Sequence, residues 1–244
     1  MLASGSPAAA ANAGEAPPLG VSSALGAPRT LSSVPEAPFT HLVTSEEELR
    51  ADGYPAPPPR AWEKEIGALD EHCAAFLARS PLAMLATSDA AGRTTVTPRG
   101  GPPGFVRLLD PRRVAWADLS GNLRIDAFRQ ILENPQVGLL LLLPGLRETL
   151  RVDGTAYLTR DPEVLRAVDV PGRTAALAVG IHVRVAFIQC GKALIRSRLW
   201  EPATWPAPEE LPSPAAMLKA HRDEPTPVED VAAHLEESYT TRLW

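Results

Sequence analysis

The sequence predicts a mainly β protein of the α+β class, an antiparallel barrel with short peripheral helices. Three observations lead there. Short apolar or alternating runs of strand length follow one another between residues 82 and 189, each bounded by turn residues. Only brief helical segments interrupt them, which does not suit the strand–helix alternation of a doubly wound parallel sheet. The 244 residues, 45% hydrophobic and 22% charged, are enough chain for one sizeable β-rich core in an ordinary globular composition.

Residues 1–40 are rich in Ala, Gly, Ser and Pro, with almost no charge and no apolar periodicity. Such a segment cannot bury enough surface to offset its ordering entropy, so it is expected to be a disordered tail. Residues 41–244 are then the folded domain with helical extensions at both ends. Ser45-Glu46-Glu47-Glu48 is a capping pattern that opens a short helix to about Ala51. Leu69 to Arg79 carries apolar residues at 69, 73, 76 and 77, a helical spacing that Ser80-Pro81 ends.

The period then changes. Leu82–Ser88 and Arg93–Thr97 flank the turn Asp89-Ala90-Ala91-Gly92 and read as a hairpin. A glycine-proline loop, residues 100–104, leads to a strand at Phe105–Leu109, and Val114–Ala117 follows the turn at 110–113. Ser120-Gly121-Asn122 is expected to open a helix running to Glu133, stopped by Asn134-Pro135. Further strands are expected at 136–143, 149–159 and 180–189. Asp161-Pro162-Glu163 is a capped helix start, with Pro at the first helical position, and Thr226-Pro227-Val228-Glu229 is another.

Composition removes several function classes. A net charge of -5 argues against a nucleic-acid partner. The strongest apolar run, Val137 to Leu143, suits a buried strand and is far too short for a membrane span. The first residues carry no export signal, and the two cysteines, Cys73 and Cys190, form no CxxC pair; a cytoplasmic protein with reduced thiols is expected. The five histidines show no metal-ligand spacing, so no metal site is expected.

Four clusters carry potential chemistry. Thr97-Pro98-Arg99-Gly100-Gly101 places an arginine at a strand end before glycines, which suits a phosphate, although a tight turn with a surface arginine has the same pattern. Ser120-Gly121-Asn122-Leu123-Arg124 sits at the expected helix start, where free N–H groups favour an anion. Arg151 could face the barrel surface or pair with an acid such as Asp153, and is read as structural. In the fourth, Lys192 and Arg196 lie four apart on one helical face, and Trp200 continues it. Two cations and an indole suit an anionic aromatic ligand or a subunit interface. No catalytic triad order, carboxylate pair, P-loop or dinucleotide fingerprint is present.

The order of segments resembles the pyridoxamine 5'-phosphate oxidase-like family. The resemblance rests on Leu85-Ala86-Thr87-Ser88 with Gly92, Thr97 through Val106, Gly121-Asn122, Asn134 through Leu139 and Leu150 through Ala156. The loop is similar to the SPRGGPPGF type of a bacterial branch, and Cys190 through Trp200 to that branch's ending. The resemblance implies a split β-barrel that forms a homodimer with two FMN sites at the interface. It assigns cofactor contacts to Thr97, Pro98, Arg99, Gly100, Asn122 and Arg124, with Lys192, Arg196 and Trp200 closing the site from the tail. Thr97 replaces the family's serine, Leu119-Ser120 a more polar pair, and Gly191 an alanine.

The implied function is an FMN-dependent oxidoreductase acting on an unknown small molecule, the cofactor performing the electron chemistry. The alternative is a non-enzymatic flavin-binding protein for storage, redox sensing or stress response. A deazaflavin or haem is the third possibility. Haem would need an axial ligand, and His182 is the histidine in an expected strand.

Overall fold

The computed structural model describes residues 38–51, 53–119, 121, 123–171, 173, 175–223 and 225–241. Most of the expected tail, residues 1–37, lies outside them. The chain divides into two units at Pro57/Pro58. In the first, α1 (Glu46–Ala51) is capped by Ser45, whose Oγ accepts from the Glu48 amide at 3.1 Å.

The second unit carries seven strands: β1 (Leu82–Ser88), β2 (Thr94–Gly100), β3 (Arg107–Asp110), β4 (Arg113–Ala117), β5 (Gln136–Leu142), β6 (Thr149–Thr159) and β7 (Ala178–Gln189). They form one antiparallel sheet in the order β2-β1-β5-β6-β7-β4-β3. The sheet is curled but not closed, and β2 and β3 are its edges. This is the mainly β, split-barrel arrangement. Around it lie α2 (Glu71–Leu77), α3 (Asp126–Glu133), α4 (Pro162–Ala167), α5 (Lys192–Ser197), α6 (Pro214–Arg222) and α7 (Val228–Thr241).

Period-two alternation supplies the core. Ala83 and Leu85 of β1, Val137, Leu139 and Leu141 of β5, Leu150 and Val152 of β6, and Val179, Ile181 and Val183 of β7 all turn inward and are buried. In β7 the inward parity then jumps to Ala186. The register of β6 on β7 slips there, with Asp153 opposite Val185 but Gly154 opposite Val183, so Arg184 is the extra residue of a bulge. Gly154 is required at this point, because a β-carbon on it would lie 2.2 Å from the His182 carbonyl oxygen. Arg151, three residues earlier, pairs with Asp153 at 2.8 Å, one of the two placements the sequence allowed.

Two side-chain devices hold the β1–β2 hairpin. At the turn, Asp89 accepts from the Ala91 and Arg93 amides, both at 2.9 Å, and from the Arg93 guanidinium. Along the strands, the buried Gln130 of α3 accepts from Thr87 and Thr95 Oγ1, and its amide donates to the Arg93 carbonyl at 3.1 Å. Gln130 thereby clasps α3 to both strands. At the other end the buried Ser80 Oγ donates to the Leu142 carbonyl at 2.7 Å, and the Gly101 and Gly104 amides bond back to Pro81 and Ser80. The glycine-proline loop is thus stitched to the corner between α2 and β1.

Two expected helices are shorter than the sequence pattern. The helix expected from residue 120 begins instead at Asp126, because Leu123 adopts φ 59°, a left-handed conformation that a helix cannot include. Ser120 and Asn122 lie outside the described residues. Helix α5 ends at Ser197, since Arg198 adopts φ 52° and turns the chain, so Trp200 does not continue its face. Replacing Gln130 with Ala leaves Thr87, Thr95 and the Arg93 carbonyl without their shared partner; the expected loss is about 2 kcal/mol, read from the urea unfolding midpoint.

Candidate functional site

A cavity of about 580 Å³ opens between β2, the end of β4 and the segment leading into α3. Edge strand β2 supplies one wall. Its pairing with β1 sets Thr95, Thr97 and Arg99 on the inward face and leaves Val96 and Pro98 outward. The opposite wall comes from Trp116, Ala117, Asp118 and Leu119, and Arg124, Asp126 and Ala127 line it as well. Phe105, from the glycine-proline loop, closes one end.

The three inward residues of β2 differ in how they are satisfied. Thr95 is bound to Gln130. Thr97 Oγ1 and Arg99 Nε are buried and have no hydrogen-bond partner among the described residues. A strand rises about 3.4 Å per residue, so the two groups sit roughly 7 Å apart along the wall. The Arg99 guanidinium lies 5.5 Å from the centre of the Phe128 ring, a cation–π contact that orients the side chain.

Electrostatics in the cavity are mixed. Burial lowers the Arg99 pKa from its ordinary value, and the charge of Asp118 works against that shift. Burial raises the Asp118 carboxyl above its ordinary value, with Arg99 opposing. No salt bridge joins the two among the described residues. Arg124 is committed in part, donating to Asp126 at 2.7 Å. The arrangement can bind an oxyanion through a planar donor and a hydroxyl. Among the described residues no histidine, cysteine or nucleophile–base pair lines the cavity.

The sequence-derived candidates therefore divide. Thr97, Pro98, Arg99, Gly100 and Arg124 line one cavity. Arg124 stands in an irregular segment two residues before α3, so the expected helix-start anion site does not form as such. Asn122 lies outside the described residues. Lys192, Arg196 and Trp200 do not line this cavity in their own chain. Helix α5 sits against the turn between β5 and β6, where Trp200 Nε1 donates to the Leu146 carbonyl at 2.8 Å. Gly191 abuts that same turn: a β-carbon would lie 2.8 Å from the Arg147 carbonyl oxygen, which accounts for glycine where alanine is usual. His182 is exposed on β7 and does not line the cavity.

Asp118, Trp116 and Phe128 belong to the site without having been singled out from the sequence. Asp118 directly follows the strand expected at 114–117, so an acid at a strand end was the available signal; Phe128 offered none.

The family model for pyridoxamine 5'-phosphate oxidase matches residues 69–185. Through that segment, the chain belongs to the pyridoxamine 5'-phosphate oxidase-like family. The match spans all seven strands up to the last part of β7, and the whole cavity wall. No curated protein matches the sequence. Among solved structures, the chain is similar to HupZ of Group A Streptococcus, at 20% identity over 50% of this chain and 94% of that one, with a TM-score of 0.42. It is similar as well to a putative pyridoxamine 5'-phosphate oxidase from Lactobacillus delbrueckii, at 22% identity over 50% and 95%, with a TM-score of 0.40. A third is HutZ, a haem storage protein of Vibrio cholerae, at 17% identity over 49% and 94%, with a TM-score of 0.33.

Among the described residues no helix is long and apolar enough to cross a membrane, and no group of three potential ligands could hold a metal ion. The Asp118 shift has a stability consequence. With its folded value raised above the ordinary 3.8, the group favours folding at low pH, and that contribution is lost as pH rises through the raised value. Asp118→Asn is expected to flatten this part of the stability-against-pH curve, measured by thermal unfolding across the acidic range.

Proposed function

We propose that this protein binds FMN in the cavity beside β2 and acts as an FMN-dependent oxidoreductase on a small molecule. The observation that carries the reading is the pair of buried, unpartnered groups, Thr97 Oγ1 and Arg99 Nε, aimed into a cavity of about 580 Å³ on a barrel of this family. An unmet buried donor costs about 1–3 kcal/mol, and more when charged. A phosphate that accepts from both groups offsets that cost and gains a charge-assisted bond. The residues therefore fit the phosphate end of FMN.

FMN, when bound, supplies the hydride or single-electron chemistry. The chain's own residues bind and orient. Arg99 holds the phosphate, with its guanidinium kept in place by the Phe128 ring, and Thr97 adds a hydroxyl. Trp116 and Phe105 furnish apolar surface for a flat aromatic system. Asp118 faces Arg99 across the cavity, and burial raises its carboxyl above the ordinary value while Arg99 opposes that shift.

The reading includes a homodimer. Lys192 and Arg196 are exposed and form no ion pair among the described residues. They have no place in their own chain's cavity, which supports their completing the site of a second copy together with Trp200. Within the described residues, the free thiols of Cys73 and Cys190 support a reducing compartment such as the cytoplasm. A second reading, flavin binding without turnover, draws on the lack of a nucleophile–base pair among the lining residues.

Arg99→Ala is expected to weaken FMN binding about a hundredfold or more, as for loss of a charged hydrogen bond of roughly 3 kcal/mol, with the far-UV circular dichroism unchanged. Unchanged flavin affinity in this variant removes Arg99 from the site. Purified protein is expected to show a flavin spectrum and to release FMN on denaturation; a released deazaflavin or haem would replace the cofactor assignment.

A further inference from the structure

A second cavity, of about 470 Å³, lies on the other side of Phe105 from the first. Phe105 lines both. Its apolar walls are Phe105 and Val168, both buried, with Pro102, Val170 and Pro171. Val168 packs in a small cluster with Ala115, Ala117 and Ala178, and Ala117 also lines the first cavity. The two cavities therefore share the Phe105 ring, and Val168 of the second packs in one cluster with Ala117 of the first. The outer wall is a short turn closed by the Arg173 amide donating to the Val170 carbonyl at 2.9 Å.

Three charged residues border this cavity: Arg107 at the start of β3, Arg173 on the turn, and Asp169. Neither arginine forms a salt bridge or a side-chain hydrogen bond among the described residues, and Asp169 is likewise uncommitted. All three are exposed. Two guanidinium groups against one carboxylate leave a net charge of about +1 beside an apolar floor. That charge favours a monoanion over a neutral ligand and disfavours cations. The volume falls in the range of small-molecule sites.

We propose that this second cavity binds a small monocarboxylate with an apolar body. Arg107 and Arg173 hold the carboxylate; Phe105, Val170 and the two prolines cover the body; Asp169 accepts from a hydroxyl or amine on the ligand. The occupant's nearness to a flavin rests on the FMN reading above, whereas its binding does not.

The test is fluorine NMR of para-fluorobenzoate added to the full-length protein, with para-fluorobenzyl alcohol as the neutral control, both with and without added FMN. The benzoate is expected to bind at least tenfold more tightly than the alcohol. Arg107→Gln and Arg173→Gln are each expected to weaken it about tenfold, the loss of one charge-assisted bond; Asp169→Asn is expected not to weaken it. Equal binding of acid and alcohol, or unchanged binding in the double arginine variant, overturns the proposal. Benzoate binding abolished by Arg99→Ala but retained in the double variant also overturns it, by placing the anion in the first cavity. Benzoate binding that depends on Arg107 and Arg173 in a protein that takes up no FMN sustains this site while removing the flavin reading.

Discussion

The pairing of Thr94–Gly100 with Leu82–Ser88 sets Arg99 opposite Ala83 and Thr97 opposite Leu85. Since Ala83 and Leu85 are core residues, the two polar groups are carried on the core side of an edge strand. A slip of one residue would turn Thr97 and Arg99 to solvent and bring Val96 and Pro98 inward. The cavity as described exists only in this register. Asp89 fixes it at the turn, Gln130 along the strands, and the Gly101 and Gly104 amides at the far end. The side chain of Arg99 then has one direction available, beside Phe128 and across from Asp118.

Burying such groups is costly. Two buried donors without partners oppose folding by a few kcal/mol together, a substantial share of the stability of an ordinary domain. The continuous antiparallel sheet and its buried aliphatic face tolerate it. Preorganised donors of this kind are what a ligand phosphate needs, because no hydrogen bond within the protein has to break when it arrives. Arg124 contrasts with Arg99: it is exposed and already donates to Asp126, so any contribution it makes to a phosphate must compete with that pair.

Much of the fold was legible because its signals are local. Alternation marks Leu82–Ser88 to the residue, and the Asp161-Pro162 start of α4 follows from cap chemistry, with the Asp161 side chain accepting from the Glu163 amide. Pairing of Arg151 with Asp153 could be read because same-face neighbours on a strand are two residues apart. Other features depend on contacts distant in sequence or on backbone torsions that no residue type announces. Leucine at 123 and arginine at 198 do not signal left-handed conformations, so the start of α3 and the end of α5 were misplaced. Phe128 and Asp118 meet Arg99 only after β4 and α3 have packed around β2. Lys192 and Arg196 share α5 as their spacing of four indicates, but the extension of that face to Trp200 assumes a longer helix than the one that forms.

The central claim is that the Thr97–Arg99 row receives a phosphate, and the most direct measurement compares FMN with riboflavin, which lacks only that group. Equilibrium titration of the flavin-free protein is predicted to show FMN bound about a hundredfold or more tightly than riboflavin. Equal affinities would contradict the account, for they would leave the two unpartnered groups of β2 without the ligand assigned to them.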